Sequence, residues 1–337
     1  MELAIANPII SSSHARIIEQ EGSLYLEDMD SRNGTFVNGD RILQPTRIYD
    51  GDVIQFSHCV FRLRRESISD DRSFCATLNA RGMDQAMRII EFEDLMSNQL
   101  IDPHFQSIVR LEDGQTVGFE SLARGIPYNL HSPGELFRAA EKMQREGDLS
   151  EMLRRVAAAA FEIYNHEFNS NSTKLFLNTH PCEMEDSQAL IESLDVLRNK
   201  HPDVQLVLEI HESSVTDIDE MRRLGKEVKD LGVELAYDDF GAGQARFFEL
   251  IEEPPSYLKF DIRLVKDLHK ASIRRVQAIE QLVIMVKNLG ITCIAEGIEV
   301  EEDAVICREL GFSLAQGYYF SQPEPISHWV DSHVKSR

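Results

Sequence analysis

Between residues 173 and 299 the chain repeats one arrangement, a short run of consecutive apolar residues closed by a carboxylate, an amide or a lysine. The runs are TKLFLN, VQLVLEIHE, VELAYDDF, SYLKFD and ITCIAEGIE, and the polar residues at their ends are Asn178, Glu209, Asp238, Lys259, Asp261 and Glu296. A strand with one wet face alternates apolar and polar residues. Continuous apolar runs therefore belong to a sheet covered on both sides. Amphipathic stretches such as LFRAAEKMQREGDLSEMLRRVAAAAFEIY alternate with these runs, at steps near the roughly 30 residues of a strand–helix–strand unit. Residues 88–333 match the size of an eight-stranded barrel, about 250 residues, whose functional groups gather at the strand C-termini. A doubly wound open sheet would also collect strand ends, but no GxGxxG turn follows the first strand.

Residues 1–66 have a different texture, with short apolar runs separated by Glu-Gly, Asn-Gly and Asp-Gly corners. That pattern predicts a small antiparallel sandwich. Residues 67–87 are polar and aperiodic and are expected to be a linker. The fold class is thus α/β, a TIM-like (β/α)8 barrel preceded by a small all-β sandwich. With 57 acidic against 35 basic residues the net charge is -22, which argues against duplex nucleic acid or an anionic membrane as a partner. The five cysteines are odd in number and scattered, which suits neither a disulfide framework nor a CxxC metal site. No apolar run approaches the roughly 20 residues of a membrane span. The first residues lack the basic start of a secretory signal. A cytoplasmic location is the expectation.

Carboxylates that converge on one barrel mouth repel one another unless cations sit among them. The oxygen-only set Glu209, Asp238, Asp239, Glu296 and Asn178 favours Mg²⁺ or Mn²⁺ over Zn²⁺. Two such ions about 3.5 to 4 Å apart lower the pKa of a water and stabilise both oxygens of an in-line phosphoryl displacement. The adjacent pair Asp238–Asp239 suits two ions, because consecutive residues past a strand end can turn to different sides. Ca²⁺ is expected to inhibit, since its longer and more numerous bonds would not align the water.

At these residues the chain resembles the EAL-type cyclic di-GMP phosphodiesterases. The resemblance is carried by FQSIV (105–109), GFESLAR (118–124), LFLNTHP (175–181), LEIHES (208–213), YDDFGAG (237–243), YLKFD (257–261), IAEGIE (294–299) and AQGYYFSQP (315–323). It implies hydrolysis of cyclic di-GMP to the linear dinucleotide pGpG and homodimerisation through the barrel. It further implies that Glu120, Asn178, Glu209 and Asp238 hold one metal, that Asp238 and Asp239 share the second, and that Lys259 orients the attacking water. Glu296 would bind metal or act as general base, with Glu120, Lys259 and Glu296 as the catalytic set. Arg124, placed one helical turn after Glu120, Asp261 and Gln316 would meet the substrate, while Glu212 and Glu299 would support the site. Gln244, Ala245 and Arg246 depart from the Thr and Tyr-Ser-Ser usual in the following loop. His211 stands where a Thr is usual and is expected to turn away from the side of Glu209. A catalytically silent cyclic di-GMP receptor is the alternative reading.

Residues 1–66 resemble most of a forkhead-associated domain, which reads phosphothreonine. IISSSHA (9–15) is similar to its Ser-x-x-His motif and DSRNGTFVNG (30–39) to its Asn-Gly motif. The resemblance makes Ser11 and Asn33 phosphopeptide contacts and His14 a brace between loops. The first strands and their Gly-Arg pair are missing, and Ser12 stands where an Arg often clamps phosphate. The segment is therefore expected to be a degenerate interaction or dimerisation module for a protein partner, with true phosphothreonine recognition, or a start codon placed too late, as the alternatives.

Overall fold

The computed structural model describes residues 13–20, 22–56, 59–63, 89, 91–125, 132–164, 173–211, 214, 218–242 and 247–329. They fall into two compact units, Met1–Leu100 with Pro127–Arg145, and Ile101–Ile126 with Glu146–Arg337.

The first unit carries seven short strands: β1 (Ala15–Gln20), β2 (Ser23–Asp28), β3 (Thr35–Val37), β4 (Asp40–Arg41), β5 (Thr46–Ile48), β6 (Val53–Phe56) and β7 (Cys59–Arg62). They make two antiparallel sheets, ordered β1-β2-β5 and β4-β3-β6-β7. Leu26, Val37, Ile42, Ile48 and Ile54 form their shared core. The Asn-Gly corner behaves as its chemistry requires: Asn38 (φ 54°) and Gly39 (φ 86°) are both left-handed between β3 and β4, the geometry of a two-residue hairpin turn.

The second unit continues with β8 (Ile101–Arg110), β9 (Thr116–Gly125), β10 (Lys174–Asn178), β11 (Gln205–His211), β12 (Glu234–Phe240), β13 (Tyr257–Phe260), β14 (Thr292–Ala295), β15 (Leu314–Ala315) and β16 (Glu324–Pro325). β8 to β15 pair in sequence order and β15 returns to β8, which closes an eight-stranded barrel; β16 pairs with β8. Strands β9 to β15 are parallel, but β8 runs antiparallel to both its neighbours. The strand–helix repeat did not foreshadow that reversal. Its cause is the short 111–115 connection, since a parallel neighbour needs a crossover of a dozen or more residues.

The apolar runs divide by parity. Leu175, Leu177, Leu206, Leu208, Ile210, Leu258, Phe260, Cys293 and Ala295 face outward into the main core. Helices including Glu146–Tyr164, Ser187–Lys200, Ile218–Asp230 and Ile273–Asn288 bury apolar residues in that core. The alternate residues Ile108, Phe176, Val207, Ala236, Tyr257, Ile294 and Leu314 fill the interior as one layer. Burying a side chain such as Phe176 contributes roughly 2 to 3 kcal/mol. β9 gives it room, because a Cβ at Gly118 would lie 2.9 Å from the Phe176 ring. Among the described residues no helix is long and apolar enough to cross a membrane.

Behind the last strand, a Cβ at Gly317 would come within 2.1 Å of the Ile298 carbonyl oxygen and 2.3 Å of its nitrogen. Those are backbone atoms and cannot rotate away. We expect Gly317→Ala to cost about 3 kcal/mol or more, at the top of the range for overpacking. Gly134→Ala, which meets nothing within 4 Å, should be neutral or slightly stabilising in its helix. Urea unfolding of both variants tests this, and equal stabilities would contradict the steric argument.

Candidate active site

The interior layer ends two residues before the polar ring begins. A strand returns to the same face every second residue, so Phe176, Val207, Ala236, Tyr257, Ile294 and Leu314 are followed on the inner face by Asn178, Glu209, Asp238, Lys259, Glu296 and Gln316. Register sets these side by side: Asn178 pairs with Glu209, and Gln106 on β8 with Glu120 on β9. The ring thus stands on the apolar plug, at the C-terminal ends of the parallel strands.

Lys259 occupies its centre and is 1% exposed. Its Nζ lies 2.7 Å from Glu209, 2.8 Å from Glu296, 3.2 Å from Asp238 and 3.3 Å from Glu120. Burial works against the ammonium, but these four carboxylates outweigh it and hold the pKa well above the ordinary lysine value. Glu120 accepts hydrogen bonds from Asn178 Nδ2 (3.0 Å), Gln316 Nε2 (2.7 Å) and Lys259. Burial favours its neutral form, yet Lys259 and the two amides hold its pKa below the usual carboxylate range. Glu209 is pushed well above that range by burial and then by Glu120, and Glu296 by burial and then by Asp238 and Glu120. Glu209 has no neutral hydrogen-bond donor on either oxygen; its close polar neighbour is Lys259 Nζ, 2.7 Å from Oε1.

Asp239 completes the ring through a backbone irregularity. The β12–β13 register shifts between Tyr237 and Phe240, and Asp239 is left-handed at φ 59°. Such a conformation costs a non-glycine residue about 1 to 3 kcal/mol and is concentrated at functional sites. Its effect is that consecutive carboxylates converge. Oxygens of Asp238, Asp239 and Glu296 lie within 4.8 Å of one another. Burial, then Asp238, raises the Asp239 carboxyl above its ordinary value. Fully ionised, the five carboxylates around one ammonium would leave four negative charges, which two divalent ions would offset. The all-oxygen donor set and the Glu209 Oε2, which has no hydrogen-bond partner, suit hard ions of the Mg²⁺ or Mn²⁺ kind.

The remaining candidates are distributed less tightly. Arg124 lies on β9, not one helical turn beyond Glu120. The segment is extended throughout, so the Arg124 backbone stands four residues along the same strand face, about 13 Å on, and its guanidinium donates to Ala123 O at 2.9 Å. Asp261 caps the turn after β13, accepting from Arg263 N (2.9 Å) and Nε (2.7 Å). Glu299 is half exposed and pairs with Lys266 at 2.9 Å. His211 does not turn away from Glu209: the two are two positions apart on β11 and share the inner face, and the His211 Nε2 lies 3.0 Å from Asp239. Glu212, Gln244–Arg246 and Ser11 lie outside the described residues. In the small sandwich, buried His14 contacts the Gly34 carbonyl through Nε2 at 3.0 Å and so braces the loop that carries Asn33.

Two supports were not singled out from the sequence. Gln106 donates to Ser321 O (2.9 Å) and accepts from Gln316 Nε2 (2.9 Å), which orients the Gln316 amide toward Glu120. Buried Arg154 pairs with Glu183 at 2.6 Å and reaches the Asn178 carbonyl at 3.4 Å. Gln106 lay within the FQSIV run, so inward alternation could have found it; Arg154, on a helix, had no local signal.

Residues 91–323 match the EAL domain and residues 1–57 the FHA domain. The chain belongs to the EAL-domain family. It is 29% identical over 251 residues to the cyclic di-GMP phosphodiesterase RocR of Pseudomonas aeruginosa, covering 70% of this chain and 60% of RocR. It is 28% identical over 249 residues to the oxygen sensor protein DosP of Escherichia coli, 71% of this chain and 31% of DosP. The chain thus spans 60% or less of these relatives. Among solved structures, the manganese and cyclic di-GMP complex of Klebsiella pneumoniae BlrP1 superposes with a TM-score of 0.56 at 28% identity, covering 67% of this chain and 56% of that one. The PaMucR phosphodiesterase complex with c-di-GMP, at 21% identity, shares the fold with a TM-score of 0.65, covering 72% of this chain and 99% of that one.

Glu209 and Glu296 retain protons well above the usual carboxylate range, and a divalent ion bound there would have to displace them. Mn²⁺ titration by calorimetry should show proton release, with affinity rising up to about tenfold per pH unit for each proton displaced between pH 6 and 8. The folded state holds these protons more tightly than the unfolded chain does. The stability they contribute is therefore lost as pH rises through their raised pKa values, and added Mn²⁺ should raise Tm more at pH 8 than at pH 6. A pH-independent affinity would contradict this account.

Proposed function

We propose that the barrel hydrolyses a phosphodiester of cyclic di-GMP to pGpG with two Mg²⁺ or Mn²⁺ ions, and that residues 88–333 form the catalytic domain. The observation that carries this reading is the Lys259-centred cage, with Asp238, Asp239 and Glu296 converging beside it. Glu120, Asn178, Glu209 and Asp238 would hold one ion and Asp238 with Asp239 the other. Bound there, the ions would lower the pKa of a water and offset charge on the phosphoryl oxygens. Lys259 would donate to that water and orient it for attack. Glu296, which converges with Asp238 and Asp239 beside Lys259, would accept the proton of that water. Arg124 pairs with a substrate phosphate, as its forked donors suit, while Asp261 and Gln316 line the substrate side and Glu212 and Glu299 support the rim. A homodimer through the barrel and a cytoplasmic location belong to the same reading.

Purified protein should turn over cyclic di-GMP with Mg²⁺ or Mn²⁺ and be suppressed by Ca²⁺. Asp238→Asn should lower kcat by about 100-fold or more, since an amide cannot bridge two ions with charge. Lys259→Ala should retain substrate binding in Mn²⁺ but lose turnover. Arg124→Ala should weaken substrate binding and leave metal binding intact. Binding without turnover in either metal from pH 7 to 9 would replace this reading with that of a silent receptor, for which the altered Gln244–Arg246 loop is the supporting observation.

For residues 1–66 we propose a protein-interaction module, joined to the barrel by the linker 67–87, that binds phosphothreonine weakly. Ser12 lacks the charge-assisted hydrogen bonds that an Arg there would make, each worth about 1.5 to 3 kcal/mol. Phosphothreonine peptides should bind less tightly than about 10 µM, roughly -6.8 kcal/mol. Tighter binding that disappears in Asn33→Ala would restore phosphopeptide reading.

A further inference from the structure

On β11 the inner face carries Val207 in the apolar layer, Glu209 in the ring and His211 at the rim. Across the sheet His211 pairs with Asp238, which brings the imidazole over the bulge and its Nε2 to 3.0 Å from Asp239 Oδ2. Two other acids, Asp238 and Asp261, also neighbour the Asp239 carboxylate, Asp261 within hydrogen-bonding reach. The carboxylate rides on a left-handed residue at φ 59° just past a register shift, where no regular ladder fixes its direction. Both side chains are partly exposed, 41% for His211 and 38% for Asp239. Unheld, Asp239 could turn to water and away from Asp238 and Glu296.

We propose that His211 is a positioning residue. With Nε2 3.0 Å from Asp239 Oδ2, the imidazole would donate to that oxygen and keep the carboxylate turned toward Asp238 and Glu296, so that the site of the second ion is assembled before the ion arrives. The inference rests on the two-ion reading above. An imidazole reaches further from the strand than the Thr usual at this place, and its ring is stiff, so it supplies the donor with few rotamers to freeze. Hydrogen bonds of this kind to a metal-binding carboxylate set its direction, and their loss commonly lowers metal affinity by about 10- to 100-fold.

The test is Mn²⁺ binding to the full chain, followed by electron paramagnetic resonance of the free ion, with electron spin-echo modulation to detect nitrogen bonded to bound Mn²⁺. Wild type should bind two ions. His211→Ala should weaken the second by about 10- to 100-fold and leave the first unchanged, and His211→Gln, whose amide can still donate, should recover most of the loss. If His211→Ala does not fold, His211→Leu against His211→Gln makes the same comparison at similar volume. No directly bonded histidine nitrogen should appear in wild type. Two ions bound with unchanged affinity in His211→Ala, or in His211→Leu if that variant stands in for it, would overturn the inference. So would a nitrogen coupling lost with His211, since the histidine would then be a ligand. Wild type binding fewer than two ions would instead overturn the two-ion reading, and this inference with it.

Discussion

A single buried ammonium holds the mouth of the barrel together. Lys259 is 1% exposed and lies within 3.3 Å of four carboxylates that originate on four other strands or strand ends. Desolvating a lysine and several carboxylates costs several kcal/mol per ion, and one cation cannot repay it for four anions. The imbalance is visible in the ring itself. Glu120, which also has two amide donors, stays acidic, whereas Glu209 and Glu296 are driven toward protonation. The ring is therefore a frustrated arrangement that added positive charge relaxes. Lys259 makes the metal-free fold possible, and its shortfall leaves appetite for more cations.

The same strands build the plug and the ring, and the two tasks constrain each other. Inward residues two positions apart change from apolar to charged on one strand after another: Val207 to Glu209, Tyr257 to Lys259, Ile294 to Glu296. Below the change, close packing keeps water out; above it, the low dielectric strengthens each charge contact. A one-residue slip of any strand would exchange its inner and outer faces. It would put a carboxylate under a helix and an aliphatic residue in the ring, so register here is enforced by chemistry as well as by packing.

Asn178, Glu209, Asp238, Lys259 and Glu296 were legible in the sequence because each closes a run whose alternate residues face the barrel interior. The closed barrel was legible for the same reason. The reversed direction of β8 was not, because apolarity carries no sense of direction and only the short 111–115 link records it. Arg124 was misplaced for a related reason: four residues make one turn of a helix, but in β9 they extend along the strand. His211 was misjudged by a slip in alternation, since Glu209 and His211 share a face; its contact also depends on the Asp239 bulge, which two adjacent aspartates do not announce. The ion pair of Arg154 with Glu183, which braces the Asn178 carbonyl, joins a helix to a distant turn. Nothing local in either segment marks it.

The charge of the whole chain and the charge of the site pull in opposite directions, and distance decides between them. A net charge of -22 repels an anionic dinucleotide from afar. At physiological ionic strength that repulsion is screened beyond about 8 Å. Inside that radius the ligand would meet Arg124, Lys259 and whatever cations the ring has drawn in. Such a site gains little from long-range steering and depends on contacts made at close quarters in a dry mouth. It would also discriminate: a phosphate ester would be held only where cations already sat among the carboxylates. The ring without its cations would add its own negative charge to the repulsion, so loading of the ring and capture of an anionic ligand are linked by electrostatics alone.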